Sequence, residues 1–461
     1  MQCGEIMKIN KEIFKAYDIR GKVPTDINSE VAYTIGKSYG TYIKRFNVKS
    51  CMVGRDNRLS SDDLTIALIN GILDTGIDVI SLGLVTTPMF YYGCLLKKQT
   101  CGIMVTASHN PKDENGFKFS FNEYTNARGE MIEDFRDFTL RGNFDKGNGN
   151  LSSYNIKDEY IELIKNATEM GEGRLKAVID PGNGTTSIIV KDIFSMFPNV
   201  EAHYICSESD GSFPCHHPDP SVDKNLSMLK KKVKDVGADV GLAFDGDGDR
   251  LGVVDENGKM ITADLYMIII IRDIIDKVSK KEFLYDVACS KALDDEIRHL
   301  GGLPYLCRTG ASYTKKETAD LDLPFGGEVS GHFYFRDRWP GFDSGIYAGV
   351  RLLEILSKTL RPLSSLLDGI NKYYSTEKTY INSTHDLKYV VVEKLRKYSE
   401  EKGYEVNNTD GIRVIFSDGW AGIRVSNTAP SITVRFEATT KQRLKEIEKE
   451  YMDLIKKYNI F

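Results

Sequence analysis

The stretch Phe244-Asp245-Gly246-Asp247-Gly248-Asp249-Arg250 sets three carboxylates at alternate positions, separated by glycines. Glycine lets a loop turn tightly enough for all three acids to face inward, and hard cations such as Mg²⁺ take oxygen ligands of this kind. An EF-hand is the rival arrangement, because Glu256 falls at the twelfth loop position. It fails at the sixth, where Arg250 stands in place of the required glycine, and both flanks read as strands, not helices. An acidic surface turn is the plain alternative. Repulsion among three packed carboxylates disfavours that turn without a cation. Three protein ligands also leave coordination positions open for a phosphate oxygen.

Three further loops carry groups that can do chemistry. Val105-Thr106-Ala107-Ser108-His109-Asn110-Pro111 puts a serine at a strand-to-loop corner, where its oxygen can meet a ligand. It lacks the G-x-S-x-G elbow of a hydrolase, and a capped turn ending at Pro111 is the structural alternative. Gly326-Gly327-Glu328-Val329-Ser330-Gly331-His332 offers a carboxylate, a hydroxyl and an imidazole, the donors and acceptors that sugar hydroxyls need; a glycine-rich turn between strands is the alternative. Arg424-Val425-Ser426-Asn427-Thr428-Ala429-Pro430 combines a guanidinium, two hydroxyls and an amide, which suit phosphate oxygens; a polar hairpin turn is its alternative.

The elements around these loops alternate β-branched runs with amphipathic stretches. Cys51-Met52-Val53 reads as a strand. A helix opens at Ser60-Ser61-Asp62-Asp63, with Ser60 and Asp63 spaced as a capping box and Gly76 placed to end the turn. Asp78 to Leu82 is the next strand. This βαβ order predicts α/β domains. A faint repeat runs through the first 370 residues: three times a polar loop (Thr106 to Pro111, Asp245 to Arg250, Gly327 to His332) is followed by a strand. The tail differs, with a helix near Leu387 to Glu401, β-rich runs at Ile412 to Phe416 and Ile423 to Phe436, and a terminal helix from Lys441. The predicted architecture is three related α/β domains with mixed sheets, spanning 1–150, 151–256 and 257–370, then an α+β domain over 371–461 with an antiparallel sheet.

Composition bounds the partners. The net charge of −5 comes from 61 basic and 66 acidic residues, too small an excess to point to nucleic acid or an anionic membrane as partner. No apolar run reaches membrane-spanning length, and the stretch Leu265 to Ile275 is interrupted by Arg272 and Asp273. No secretory signal is visible. The eight cysteines are scattered without a CxxC pair, as expected of a chain in a reducing cytoplasm.

The motifs, in order from Tyr17-Asp18-Ile19-Arg20-Gly21 to the Arg424 loop, resemble the α-D-phosphohexomutase superfamily, and within it the phosphomannomutase/phosphoglucomutase branch. The segment Gly211-Ser212-Phe213-Pro214-Cys215-His216-His217-Pro218-Asp219-Pro220 is also similar to a family segment, which implies a structural role for Cys215-His216-His217 and not a zinc site. The resemblance implies four domains around a central cleft and an isomerase that interconverts hexose 1-phosphate and hexose 6-phosphate. Ser108 would carry the phosphoryl group. Asp245, Asp247 and Asp249, with the phosphoserine oxygen, would hold Mg²⁺. Arg20 and Lys118, alongside His109 and Arg250, would stabilise the transferring charge. Glu328, Ser330 and His332 would read sugar hydroxyls, and Arg424, Ser426, Asn427 and Thr428 would clamp the non-reacting phosphate. Hexose 1,6-bisphosphate would be activator and intermediate, and the protein a monomer or homodimer. His332 and Lys118 are the candidates for moving the hydroxyl proton.

Two positions depart from the family pattern. Ala288 stands where many relatives carry a basic residue and Ala311 where they often carry histidine; Lys291 and Lys315 are the nearest replacements. Two rival functions follow. One is a phosphoglucosamine mutase, which Val329 disfavours. The other is a non-catalytic sugar-phosphate-binding homologue, which the two alanines suggest.

Overall fold

Alternation along the strand Glu114–Ser120 fixes the first core. Phe117 and Phe119 point to one face and are buried with Tyr39 and Phe135, whereas Lys118 lies on the other. Phe119 and Phe121 stack with ring centroids 5.7 Å apart. This strand sits in a six-stranded sheet ordered Ile19–Lys22, Glu114–Ser120, Gly102–Val105, Ser50–Arg55, Asp78–Leu84, Leu151–Ser153. Its pairings with Ile19–Lys22 and Gly102–Val105 are antiparallel and the remaining pairings of the sheet are parallel.

The computed structural model describes residues 9–426 and 430–460. They form two units. One takes the chain as far as Ile261 with Gly331–Phe333 and Arg338–Ser364; the other takes Thr262–Ser330, Tyr334–Asp337 and the chain from Ser365. The first unit holds a second mixed sheet, ordered Met260–Ile261, Leu251–Asp255, Val240–Phe244, Leu175–Asp180, Val200–Tyr204. In it Val240–Phe244 runs antiparallel to Leu251–Asp255 and parallel to Leu175–Asp180. The serine loop and the acidic loop therefore occupy the same place in their two sheets, each joining antiparallel neighbours. Such a connection is short, which keeps the chemistry-bearing residues close to rigid strand ends.

In the second unit, Glu282–Asp286 runs parallel to both Leu303–Cys307 and Phe325–Gly327. The C-terminal sheet is antiparallel in all its pairings: Ser431–Ala438 lies between Gly419–Val425 and the strands Tyr374–Ser375 and Thr379–Asn382, and Ile412–Phe416 continues it to Glu405–Asn407. Helices Leu387–Glu401 and Lys441–Tyr458 cover this sheet with Val391, Leu395, Ile447, Tyr451 and Ile455 buried. The chain thus has three α/β domains with mixed sheets and a C-terminal domain with an antiparallel sheet.

One local expectation is corrected. The helix after the strand Ser50–Arg55 spans Ser61–Leu73, but Ser60 makes no side-chain cap bond. Its hydroxyl accepts instead from Asn115 Nδ2 at 2.8 Å, so a contact across 55 positions outcompetes the capping box. The β-rich run from Ile423 to Phe436 falls in two antiparallel strands, Gly419–Val425 and Ser431–Ala438. Among the described residues, no helix is long and apolar enough to cross a membrane.

Candidate active site

Ser108 follows the strand Gly102–Val105 in the left-handed region, with φ +52°. A non-glycine residue there costs on the order of 1 kcal/mol, so neighbours must hold it. Thr106 Oγ1 accepts its N–H at 2.9 Å. The buried guanidinium of Arg58 donates to four carbonyls of the loop: Ser108 and Asn110 at 2.7 Å, Pro111 at 2.6 Å and Glu114 at 3.0 Å. Asp56 lies beside it, Oδ2 3.2 Å from Arg58 Nε, as an ion pair without an aligned hydrogen bond. Arg20, paired with Asp18 at 2.8 Å, reaches the same loop from the strand Ile19–Lys22, donating to Ala107 O at 2.5 Å and Asn110 Oδ1 at 2.8 Å.

This backbone aims the serine hydroxyl at the acidic loop. Ser108 Oγ donates to Asp245 Oδ2 at 2.9 Å and lies 3.2 Å from His109 Nδ1. A side chain on Gly246 would bring its Cβ within 2.5 Å of Ser108 O, so the close approach of the two loops requires glycine there. Asp245, Asp247 and Asp249 are buried and bring carboxylate oxygens within 4.8 Å of one another. Lys118 Nζ donates to Asp247 and Asp249, both at 2.7 Å. Thr87, at the start of the helix Thr87–Leu96, gives its N–H to Asp247 O at 2.9 Å and its hydroxyl to Asp247 Oδ2 at 2.6 Å. A helix N-terminus favours the negative charge it meets there.

Electrostatics separates the three acids. Burial, then the charges of Asp249 and Asp247, push Asp245 well above the usual carboxylate range. Burial acts on Asp247 and Asp249 in the same direction, but the Lys118 ammonium overrides it and holds both below their ordinary value. Lys118 itself, against the pull of burial, is held well above its ordinary value by Asp247 and Asp249. Burial, followed by Arg250 and Arg20, lowers His109 far below the usual imidazole value, so it is neutral. The oxygens Asp247 Oδ1 and Asp249 Oδ1 are buried without a hydrogen-bond partner. Orphaned anionic oxygens in an all-oxygen cluster fit a divalent cation of the Mg²⁺ kind.

The first unit also contains His332. Its Nε2 accepts from Arg250 Nε at 2.9 Å, and its Nδ1 faces Asp343 Oδ2 at 2.7 Å and Asp249 Oδ1 at 3.6 Å. Glu328 and Ser330 belong to the second unit. There Glu328 accepts from Gly310 N at 2.9 Å, Thr314 Oγ1 at 2.6 Å and Ser330 Oγ at 3.0 Å. Arg424 NH1 pairs with Asp410 at 3.1 Å, Asp410 takes the Thr309 N–H at 3.2 Å, and Arg424 Nε is buried without a partner. Ser426 bonds through its backbone, N–H to Ser431 O at 2.9 Å and its carbonyl to Lys388 Nζ at 2.7 Å. Asn427 and Thr428 lie outside the described residues. Of the two lysines near the departing positions, Lys291 is paired with Asp295 at 2.5 Å and Lys315 is buried.

Asp286 ties the Glu328 loop to its sheet, accepting from Val329 N at 3.2 Å, Thr309 Oγ1 at 3.1 Å and Cys289 Sγ at 3.0 Å. Burial, then the Glu328 carboxylate, push it up to about 6. A carboxyl raised above its unfolded value adds stability that is complete below about pH 4 and is lost as pH climbs through about 6. Thermal melts from about pH 5 to about pH 8 should show wild type losing roughly 1–1.5 kcal/mol relative to Asp286→Asn. Parallel pH profiles for the two proteins would refute the assignment.

Sequence reasoning passed over Arg58, Thr87 and Asp343. Each acts on a partner distant in the chain, and the only local signal is the Asp56-x-Arg58 pair in a polar loop.

A serine hydroxyl set on a buried carboxylate trio, with lysine and arginine beside it, is an arrangement that can accept a phosphoryl group and stabilise its charge, here on a multidomain α/β scaffold. Comparison with known proteins agrees. The families described as phosphoglucomutase/phosphomannomutase alpha/beta/alpha domains I, II and III match residues 11–143, 158–258 and 262–373, and the C-terminal domain of that family matches 387–454. A phosphomannomutase/phosphoglucomutase of Pseudomonas syringae pv. tomato is 39% identical over 96% of this chain and 95% of that protein. A phosphoglucomutase of Neisseria gonorrhoeae is 36% identical over 97% of each. A crystal structure of a phosphoglucomutase/phosphomannomutase family protein from Burkholderia thailandensis superposes with a TM-score of 0.91 at 35% identity, covering 98% of both chains. The chain belongs to the phosphoglucomutase/phosphomannomutase family.

Proposed function

We propose that this chain interconverts hexose 1-phosphate and hexose 6-phosphate, with mannose or glucose as the sugar, through a phosphoserine at Ser108. The observation that carries the reading is the Ser108 hydroxyl, 2.9 Å from Asp245 in the buried acidic trio. A free sugar hydroxyl attacks the phosphorus of phospho-Ser108, the P–Oγ bond breaks, and a hexose 1,6-bisphosphate forms. The bisphosphate turns, and its other phosphate returns to Ser108. The protons lost and gained at the sugar and serine oxygens exchange over the cycle, so the reaction is proton-neutral overall.

Such a transfer depends on positioning and charge stabilisation more than on covalent chemistry. Asp245, Asp247 and Asp249, with an oxygen on Ser108, would hold Mg²⁺, which when bound offsets charge on the transferring group. Lys118 stays protonated between two carboxylates and stabilises the same charge, with Arg20 and Arg250 at the loop. His109 stands beside the reacting oxygen and His332 beside Arg250. Glu328 and Ser330 are the candidates for reading sugar hydroxyls. Arg424, Ser426, Asn427 and Thr428 are those for the non-reacting phosphate.

Incubation with glucose 1,6-bisphosphate and Mg²⁺, followed by peptide mass mapping, should place a phosphate on Ser108. Phosphate found only elsewhere would sink the reading. Coupled assays on mannose 1-phosphate, glucose 1-phosphate and glucosamine 1-phosphate should favour the first two, and preference for the third would move the assignment to a phosphoglucosamine mutase.

A further inference from the structure

A second convergence of ligand-type side chains stands in the first unit, outside the acidic trio. The strands Leu175–Asp180 and Val200–Tyr204 pair in parallel, so their carboxyl ends share one edge of the sheet. Asp180 ends the first strand, and Cys206 follows the second by two residues. The chain then returns to set His216 Nε2 3.0 Å from Asp180 Oδ2. Ligand atoms of Asp180, Cys206 and His216 lie within 4.8 Å of one another. The Cys215 thiol meets the Cys206 thiol in a side-chain contact. Asn183 holds the two cysteine segments together, donating its N–H to Cys206 O at 2.8 Å and accepting the Cys215 N–H on Oδ1 at 3.3 Å.

We propose that Asp180, Cys206, Cys215 and His216 form a site for a thiophilic divalent cation of the Zn²⁺ kind, separate from the acidic trio. Two sulfurs, an imidazole and a carboxylate make the four-ligand donor set that Zn²⁺ takes in tetrahedral geometry, whereas the trio offers oxygen alone. Zinc bonds of about 2.0–2.3 Å put tetrahedral ligands roughly 3.3–3.8 Å apart, so the cluster closes on an ion by small side-chain rotations.

The surroundings orient the ligands as well. His216 Nδ1 lies 3.0 Å from the His217 carbonyl. An Nδ1–H bond to that carbonyl leaves Nε2 to face the ion, the usual arrangement behind a metal-bound histidine. Asp180 Oδ1 accepts from Gly182 N at 3.0 Å, which leaves Oδ2 turned to the cluster. Cys206 is held at φ +47°, a conformation that persists only where neighbours enforce it. Cys215 is exposed and gives an ion its way in. Binding releases the two thiol protons and any proton shared between His216 Nε2 and Asp180. The structural role implied by the sequence resemblance weighed Cys215-His216-His217 as a local trio; the geometry instead joins Cys215 and His216 to Asp180 and Cys206, residues a linear reading keeps apart.

The test uses the full-length reduced protein with Mg²⁺ in excess to occupy hard-ligand sites. Titration with Co²⁺ should produce a near-ultraviolet thiolate-to-cobalt charge-transfer band that saturates at a single equivalent and is displaced by Zn²⁺. Cys206→Ser and Cys215→Ser should each remove the band, and Asp247→Asn should keep it. Absence of the band in wild type, or its survival in both serine variants, would overturn the proposal. Alkylation of wild-type Cys215 decides the matter independently of whether the variants fold: Zn²⁺ should slow it about tenfold or more, and a chelator should restore it. An unchanged rate would equally overturn it.

Discussion

Ser108→Ala is expected to lower mutase kcat/KM by on the order of 10⁴-fold or more, since loss of a nucleophile removes the covalent route and leaves only binding and electrostatic assistance. The neighbouring hydroxyls do not replace it. Thr106 Oγ1 is taken up by the Ser108 N–H and Thr87 Oγ1 by Asp247. Stability should change by only about 1 kcal/mol, the net worth of the bond to Asp245. A variant that folds, melts near wild type and still binds sugar phosphate, yet does not turn over, is the expected result. Retention of more than about a tenth of wild-type activity would exclude Ser108 as the phosphoryl carrier, because a nucleophile is worth several orders of magnitude.

The residues proposed to do this chemistry were legible because each sits in a local pattern. Alternate aspartates among glycines, and a serine at a strand end, declare themselves within seven residues. What holds them is not local. Arg58 reads as an ordinary surface arginine, yet its fully buried fork fixes four carbonyls between Ser108 and Glu114. Asp343 orients His332 from eleven residues away and carries no motif of its own. The same limit explains the helix start: Ser60 and Asp63 have capping-box spacing, but Asn115 claims the Ser60 hydroxyl. In the tail, by contrast, the polar residues Ser426 to Pro430 mark a break in the β-rich run from Ile423 to Phe436, and the strands on either side end at Val425 and begin at Ser431.

Lys118→Met is the second large effect, and it separates charge from shape. Methionine fills much of the same volume but leaves Asp247 and Asp249 without the ammonium that meets each at 2.7 Å. Removing one partner of a buried ion pair typically costs about 3–5 kcal/mol, because the remaining charge stays buried and uncompensated. The loss should therefore be greatest in chelator, where no other cation offsets the trio. Added Mg²⁺ should restore much of it, so the rise in melting temperature on adding Mg²⁺ should be larger in the variant than in wild type. Activity should not return with stability. At saturating Mg²⁺, kcat should remain down by about 10²–10³-fold, the usual scale for losing a positioned group that stabilises transition-state charge. Two outcomes would refute the role assigned to this lysine. One is a variant as stable as wild type in chelator. The other is a variant whose kcat recovers fully with Mg²⁺, which would make Lys118 a structural counter-ion and nothing more.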